Sequence, residues 1–229
     1  MQTIVARAAE SDEQLVDLAR LGSESAIRTL IQRNNRRLFR AARAVLVNDA
    51  EAEDAVQEAY VKAFTRLDSF RGEARFSTWL TRIALNEALG RKRKARPMVG
   101  LEGLDEMVLS DDPPLAEAPL SLHPPAADQE LMRMEIRSVL ERALDDIPAG
   151  FRIVFVLRDI EGMSVDETAS LLRLNPNTVK TRLHRAHLLL RKNIEQTLSA
   201  SFADIFPFDG ARCVHMADRV IARLRLSPD

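Results

Sequence analysis

The residues best placed to do chemistry lie between Ser164 and Lys192. Ser164, with Glu167 three residues on, forms a capping box, a reciprocal pairing of side chain and backbone that opens a helix. Val165, Ala169 and Leu172 then share one face. The turn Arg173-Leu174-Asn175 ends on an N-cap asparagine, and Pro176 takes the first helical position. In the helix that follows, Val179, Leu183, Ala186 and Leu190 recur at helical spacing and point inward. A turn of ~100° per residue puts Asn177, Thr181 and His184 on the opposite side, flanked by Thr178, Lys180 and Arg185. Lysine and arginine neutralise phosphates, while asparagine, threonine and arginine can reach base edges in the major groove. Two helices joined by a short turn, the second with such a face, make a helix-turn-helix. An ordinary αα-hairpin with a solvated basic face shares the periodicity. The paired caps, and the absence of any acid from Arg173 to Lys192, favour DNA binding.

A second cluster has a different character. Asp68-Ser69-Phe70-Arg71-Gly72-Glu73-Ala74-Arg75-Phe76 is non-periodic and joins two aromatics, a glycine and two arginines. Aromatic faces stack on unpaired bases and guanidinium groups hold the backbone, which is how single strands are bound. A turn whose phenylalanines fill the core accounts for the same residues, and taken alone they favour it. Trp79 sits within a helical apolar run and reads as core. Metal chemistry is poorly served. His184 and His187 lie one turn apart and Cys213 is near His215, but the chain has four histidines and one cysteine, and basic neighbours of His184 disfavour a cation. Neither a phosphate-cradling glycine pattern nor G-x-S-x-G occurs, so no catalytic residue, metal or cofactor is expected.

The elements that must position these clusters are helical. Leu15, Leu18 and Ala19 begin one amphipathic run, and Ala26, Leu30 and Leu38 lie along another. Val56, Tyr60, Ala63, Phe64 and Leu67 form a third stripe behind Asn48 or Asp49 as a cap, and Trp79, Leu80, Ile83, Ala84 and Leu85 a fourth. Later helices are expected over about 129–144 and 151–159. No run alternates as a strand does, so the expected fold is all-α.

Charge divides the chain. The 229 residues carry 33 Lys+Arg against 34 Asp+Glu, a net charge of −1, with 46% hydrophobic residues. That excludes a histone-like basic protein and an acidic disordered chain. From Arg71 to Arg96 eight basic residues face two acids, whereas 97–130 holds eight acids, no Lys or Arg, and six of the ten prolines. Proline breaks helix periodicity and like charges repel, so 97–128 reads as an extended acidic, Pro-rich linker between two small helical domains. A single cysteine allows no internal disulfide, and no apolar run approaches the ~20 residues of a membrane span. A soluble protein of a reducing, cytoplasmic compartment is expected, without membrane insertion.

Over residues 12–195 the chain resembles the bacterial extracytoplasmic-function (ECF, group 4) sigma factors of the sigma-70 family. Three signatures carry the resemblance, in the family's order. Asp49-Ala50-Glu51-Ala52-Glu53-Asp54-Ala55-Val56-Gln57-Glu58-Ala59-Tyr60 is similar to region 2.2. Phe70-Arg71-Gly72 with Phe76-Ser77-Thr78-Trp79-Leu80-Thr81-Arg82-Ile83-Ala84-Leu85-Asn86 is similar to regions 2.3 and 2.4. Ile147-Pro148 through Lys192 resembles region 4. Neither region 1.1 nor a full region 3 is recognisable.

The resemblance implies region 2 at 12–96, the linker at 97–128, region 4 at 129–198, and a C-terminal extension at 199–229. It implies a dissociable sigma factor, not itself an enzyme, that binds core RNA polymerase through the β′ clamp and β flap and directs initiation at promoter DNA. Asp54, Gln57 and Glu58 match the polymerase-docking face. Phe70 and Arg71 fall in the loop that captures a base flipped from the −10 element, with Asn86 on the adjoining helix and Arg82, Arg91 and Lys92 holding phosphates. Lys180, Thr181, His184 and Arg185, beside Asn177 and Thr178, face the −35 groove. The linker is similar to the segment that threads the polymerase cleft. After Leu198 the chain departs from the minimal pattern: Phe202, Ile205, Phe206 and Phe208 precede a helix-like run with Val214, Val220, Ile221 and Leu224. Either a short helix caps region 4 through those aromatics or the segment makes a regulatory contact, with an anti-sigma protein as one partner. A stand-alone helix-turn-helix regulator is the competing reading, and it leaves the first two signatures unused.

Overall fold

The computed structural model describes residues 10–95, 126–203 and 211–225, and these are helices and their connections. Positions 97–125 of the expected linker, with Ile205, Phe206 and Phe208, lie outside the described residues.

Helix α1, Asp12–Arg20, opens on a capping box. The Ser11 N–H donates to Gln14 Oε1 at 2.8 Å, and the Gln14 N–H to Ser11 Oγ at 3.3 Å. Helix α2, Glu24–Leu46, is the longest of the first unit and ends with Val47 in the left-handed region at φ 66°. Helix α3, Asp49–Thr65, starts where Asn48 accepts the Glu51 N–H at 3.0 Å, so Asn48 rather than Asp49 is its cap. A 3-10 turn over Leu67–Ser69 leads through an exposed loop to α4, Phe76–Ala95.

These helices pack closely because the third one buries small residues. Ala52, Ala55, Ala59 and Ala63 are all 0% exposed, and each alanine lets a neighbouring backbone approach where a longer side chain would hold it off. Leu15, Leu30, Leu38, Phe76 and Leu80 fill the space around them. Tyr60 closes the layer by donating its hydroxyl to the Ile31 carbonyl at 3.1 Å, and burial pushes its phenol well above the usual range.

The second unit comprises α5, Ala126–Asp145, α6, Ala149–Phe155, α7, Val165–Leu172, and α8, Pro176–Ala203. After Phe155 the helix widens into a π-type turn over Val156–Ile160. Helix α5 begins at Ala126, within the stretch that its charge and prolines assign to the linker. Two small clusters hold this unit, one of Ile147, Phe151 and Ala186 and one of Val154, Ala169 and Val179. A last described helix, α9, Ala211–Arg225, leaves Val214, Val220, Ile221 and Leu224 exposed.

The two units share a core and a charged seam. Ile153, Val156, Leu157, Met163 and Leu171 belong to the same buried cluster as the first unit's side chains. Beside them, one row of α2 arginines grips two carboxylates. Arg37 Nε and Arg40 Nη1 each reach Glu161 at 3.0 Å, and that carboxylate's side chain is only 7% exposed. Arg43 takes Asp145 in a two-pronged contact at 2.7 Å per prong, and that bond holds the guanidinium well above its ordinary pKa. Arg152, buried in α6, also donates to Asp145, at 3.2 Å.

Because Ala59 is 0% exposed between packed helices, Ala59→Leu is expected to destabilise the first unit by ~1–3 kcal/mol. Urea unfolding followed by circular dichroism measures this, and an unchanged midpoint contradicts the tight α3 packing.

Candidate nucleic-acid interface

The helix-turn-helix forms as the caps dictate. Ser164 Oγ accepts the Glu167 N–H at 3.1 Å while Glu167 Oε2 accepts the Ser164 N–H at 2.8 Å. Helix α7 ends with Arg173 in the left-handed region at φ 57°, and the Leu174 N–H returns to the Ala169 carbonyl at 2.9 Å. Asn175 then caps α8 by accepting the Asn177 N–H at 2.9 Å. Val179 and Ala186 are fully buried, with Leu183 and Leu190 partly so. Asn177, Lys180, Thr181 and His184 are exposed, and Thr178 and Arg185 are partly exposed on their flanks. The six residues therefore share the solvent side of α8. Thr181 spends its hydroxyl proton on the Asn177 carbonyl at 3.0 Å and keeps its lone pairs for an incoming donor.

Arg182 belongs to the same basic run but is 1% exposed, so it packs on the inner side of α8, away from the outward set. Charge counting along the chain could not show this; its place one residue from the outward Thr181, on the side of Ala186, is the only hint. His187 pairs with Asp159 and meets the Phe155 ring edge-on at 5.7 Å. Among the described residues no group of three His, Cys, Asp or Glu side chains could hold a metal.

The first cluster separates into an anchored end and an exposed middle. Phe70 is 7% exposed, and its ring meets Phe76 at 5.5 Å and Trp79 at 5.3 Å. In this packing the Phe70 ring offers no free stacking face, and the bland reading of a core phenylalanine fits it. Arg71 through Arg75 are all exposed, with Gly72 at a φ of 77° that favours glycine. Arg71, Arg82 and Asn86 therefore lie open on the loop and on α4, while Arg91 and Lys92 are partly buried. Lys92 Nζ donates to the Val45 carbonyl at 3.1 Å, and Arg91 lies 3.6 Å from Asp54. Asp54, Gln57 and Glu58 share the outer side of α3, where Glu58 is 3.4 Å from Lys62. The basic run and the acidic face thus adjoin.

One contact crosses between the two clusters. Arg82 Nη2 lies 3.4 Å from Ser170 Oγ on α7, so the helix-turn-helix rests against the helix that carries Asn86.

Residues 30–97 match the sequence pattern of Sigma-70 region 2, and residues 137–190 that of Sigma-70, region 4. ECF RNA polymerase sigma factor SigW of Bacillus subtilis is 31% identical over 182 residues, covering 76% of this chain and 91% of that protein. RNA polymerase sigma-H factor of Pseudomonas aeruginosa is 29% identical over 192 residues, with 82% and 96% covered. The solved structure of CnrH in complex with the cytosolic domain of CnrY aligns with a TM-score of 0.52 at 28% identity, covering 83% of this chain and 99% of CnrH. The fold is also that of RpoE bound to the anti-sigma factor NepR from Bartonella quintana, at TM-score 0.53, 21% identity, and 73% and 96% coverage. The chain belongs to the ECF sigma factors of the sigma-70 family. It is a transcription-initiation factor, and none of its described helices is long and apolar enough to cross a membrane.

The capping bond to Ser164 holds the Glu167 carboxyl below its usual range, chiefly through the backbone N–H, with smaller help from the Ser164 hydroxyl and then from Arg75 and Arg37. A depressed pKa adds stability above the unfolded value that is lost as pH falls through the folded one. Thermal unfolding at pH 7 and pH 3 should therefore show a larger loss for wild type than for Glu167→Gln, and equal losses contradict the cap's role.

Proposed function

We propose that this sigma factor binds core RNA polymerase through Asp54, Gln57 and Glu58 on α3, an acidic face suited to a basic partner surface on the β′ clamp. Region 4 meets the β flap, and the outward side of α8 reads the −35 element through Asn177, Thr178, Lys180, Thr181, His184 and Arg185. The exposed Arg71–Arg75 stretch and α4, with Arg82, Asn86, Arg91 and Lys92, engage the −10 strand. The polymerase supplies the chemistry, so the chain is not itself an enzyme, and it works in the cytoplasm. Region 2 spans 12–96 and region 4 spans 129–198. CnrH and RpoE are solved with CnrY and NepR, which supports an anti-sigma partner for this chain as well.

The observation that supports this reading is the presence of two exposed basic surfaces, one on α4 and the loop before it and one on α8. Each alone makes few base contacts, and joining them on one polymerase raises effective concentration and enforces the spacing of the two elements. Unpairing a base costs a few kcal/mol, which contacts to the extruded base and strand offset.

The seam between the units must open for this. The −35 and −10 elements lie about 25 base pairs apart, roughly 85 Å of duplex at ~3.4 Å per pair. Asn177 is seven residues beyond Ser170, so even an extended chain places it within ~25 Å of a residue touching Arg82. The packed arrangement is therefore a closed form that cannot span both elements. The 29 residues of 97–125, if fully extended, would reach roughly 100 Å, enough to permit the opening.

A stand-alone regulator would protect duplex DNA by itself. Footprinting on a promoter with and without core enzyme is expected to show stable protection, and permanganate-reactive thymines near −10, only when core is present. Equal protection by the free protein would favour the regulator.

A further inference from the structure

Arg20 lies at the last turn of α1, ten residues before the part of the chain that matches region 2 begins. Its guanidinium nevertheless reaches fifty residues ahead: Nη2 donates to the Phe70 carbonyl at 2.6 Å. On the other prong Nη1 donates to Asp17 Oδ1 at 2.9 Å, which fixes the plane of the fork. A charged donor on a carbonyl is about twice as strong as a neutral one.

The place of this bond in the loop matters more than its strength. Phe70 is held at three points. Its N–H donates to the Leu67 carbonyl at 3.1 Å, its ring packs with Phe76 and Trp79, and its carbonyl is taken by Arg20. The next five residues are exposed, and Gly72 lets the chain turn through positive φ. Arg20 thus pins the last fixed peptide before the exposed arginines, and that peptide's orientation sets where the loop leaves the surface.

A purely structural account would have Arg20 tie α1 to the core. Helix α1 has other means for that. Leu15 and Val16 are essentially fully buried, the capping box secures its start, and Asp12 meets Arg33 at 2.8 Å. We propose that Arg20, oriented by Asp17, is a positioning residue for base capture: it presets the loop that carries Arg71 and Arg75 against an extruded nucleotide. The inference rests on this loop being the −10 capture element.

The test uses holoenzyme assembled from the full chain and core polymerase. The probes are single-stranded non-template oligonucleotides spanning the −10 element of a promoter on which that holoenzyme initiates, each with one abasic position. For wild type, the abasic position that weakens binding most, by about tenfold or more, marks the captured base. Arg20→Gln is expected to shrink that ratio at least threefold, with core affinity, melting temperature and losses at the other positions unchanged. Arg20→Lys, which keeps a charged donor without the Asp17 fork, is expected to fall between. A wild-type ratio in Arg20→Gln overturns the proposal. Should that variant not fold, Arg20→Lys decides, and a wild-type ratio in it overturns the proposal equally. If no abasic position weakens wild-type binding, the capture reading itself fails, independently of Arg20.

Discussion

The structure turns on α2. One side sends Ala26, Leu30, Leu38, Ala41 and Val45 into the first unit's core. Along the edge of that side Arg37, Arg40 and Arg43 recur at three-residue spacing, so each neighbours the next on a ridge that winds round the helix. Glu161 and Asp145 from the second unit are taken up by that ridge. A carboxylate with 7% of its side chain exposed is costly to desolvate, and two arginines on it offset the cost. Without the ridge, Glu161 would have to face water and the second unit would sit elsewhere.

The chemistry of this seam suits a contact that forms and separates. The arginines remain about a third exposed while closed, so each rehydrates readily when its partner leaves. The apolar part, with Ile153, Val156 and Leu157 in the shared core, is the harder part to release. Contacts with polymerase must therefore outweigh burial of a few side chains at roughly 1.5–3 kcal/mol each. The same packing places Ser170 against Arg82, and Arg75 and Arg37 near Glu167, so exposed basic groups of the first unit face hydroxyls and acids of the second. One ridge of side chains thus links the packing and the electrostatics of the two units.

Local rules made much of this legible from the amino-acid sequence. The caps at Ser164 and Asn175, the inward Val179 and Ala186, and the outward Asn177, Lys180, Thr181 and His184 depend only on neighbours within a turn or two. The resemblance placed the acidic face of α3 and the basic end of α4. Features set by distant partners were not legible. The Arg37–Glu161 pair joins residues 124 apart, and no periodicity announces it. Phe70 pairs with rings whose position depends on how α4 returns, which is why its two readings could not be separated beforehand. The burial of Arg182 is equally hidden, because a basic residue inside a basic run carries no mark of burial. Helix α9 has a clean apolar stripe, yet its described side chains stay exposed, since amphipathicity says that a face can pack without saying on what.

If region 4 is to reach −35 while region 2 holds −10, the closed seam must give way when the polymerase is engaged. Spectroscopic labels on exposed positions of α1 and of α8, read by pulsed dipolar distance measurement in the full chain, test it directly. A short distance is expected for the free protein, and a lengthening toward the roughly 85 Å that separates the promoter elements is expected on binding core enzyme. The same short distance with and without core would contradict it.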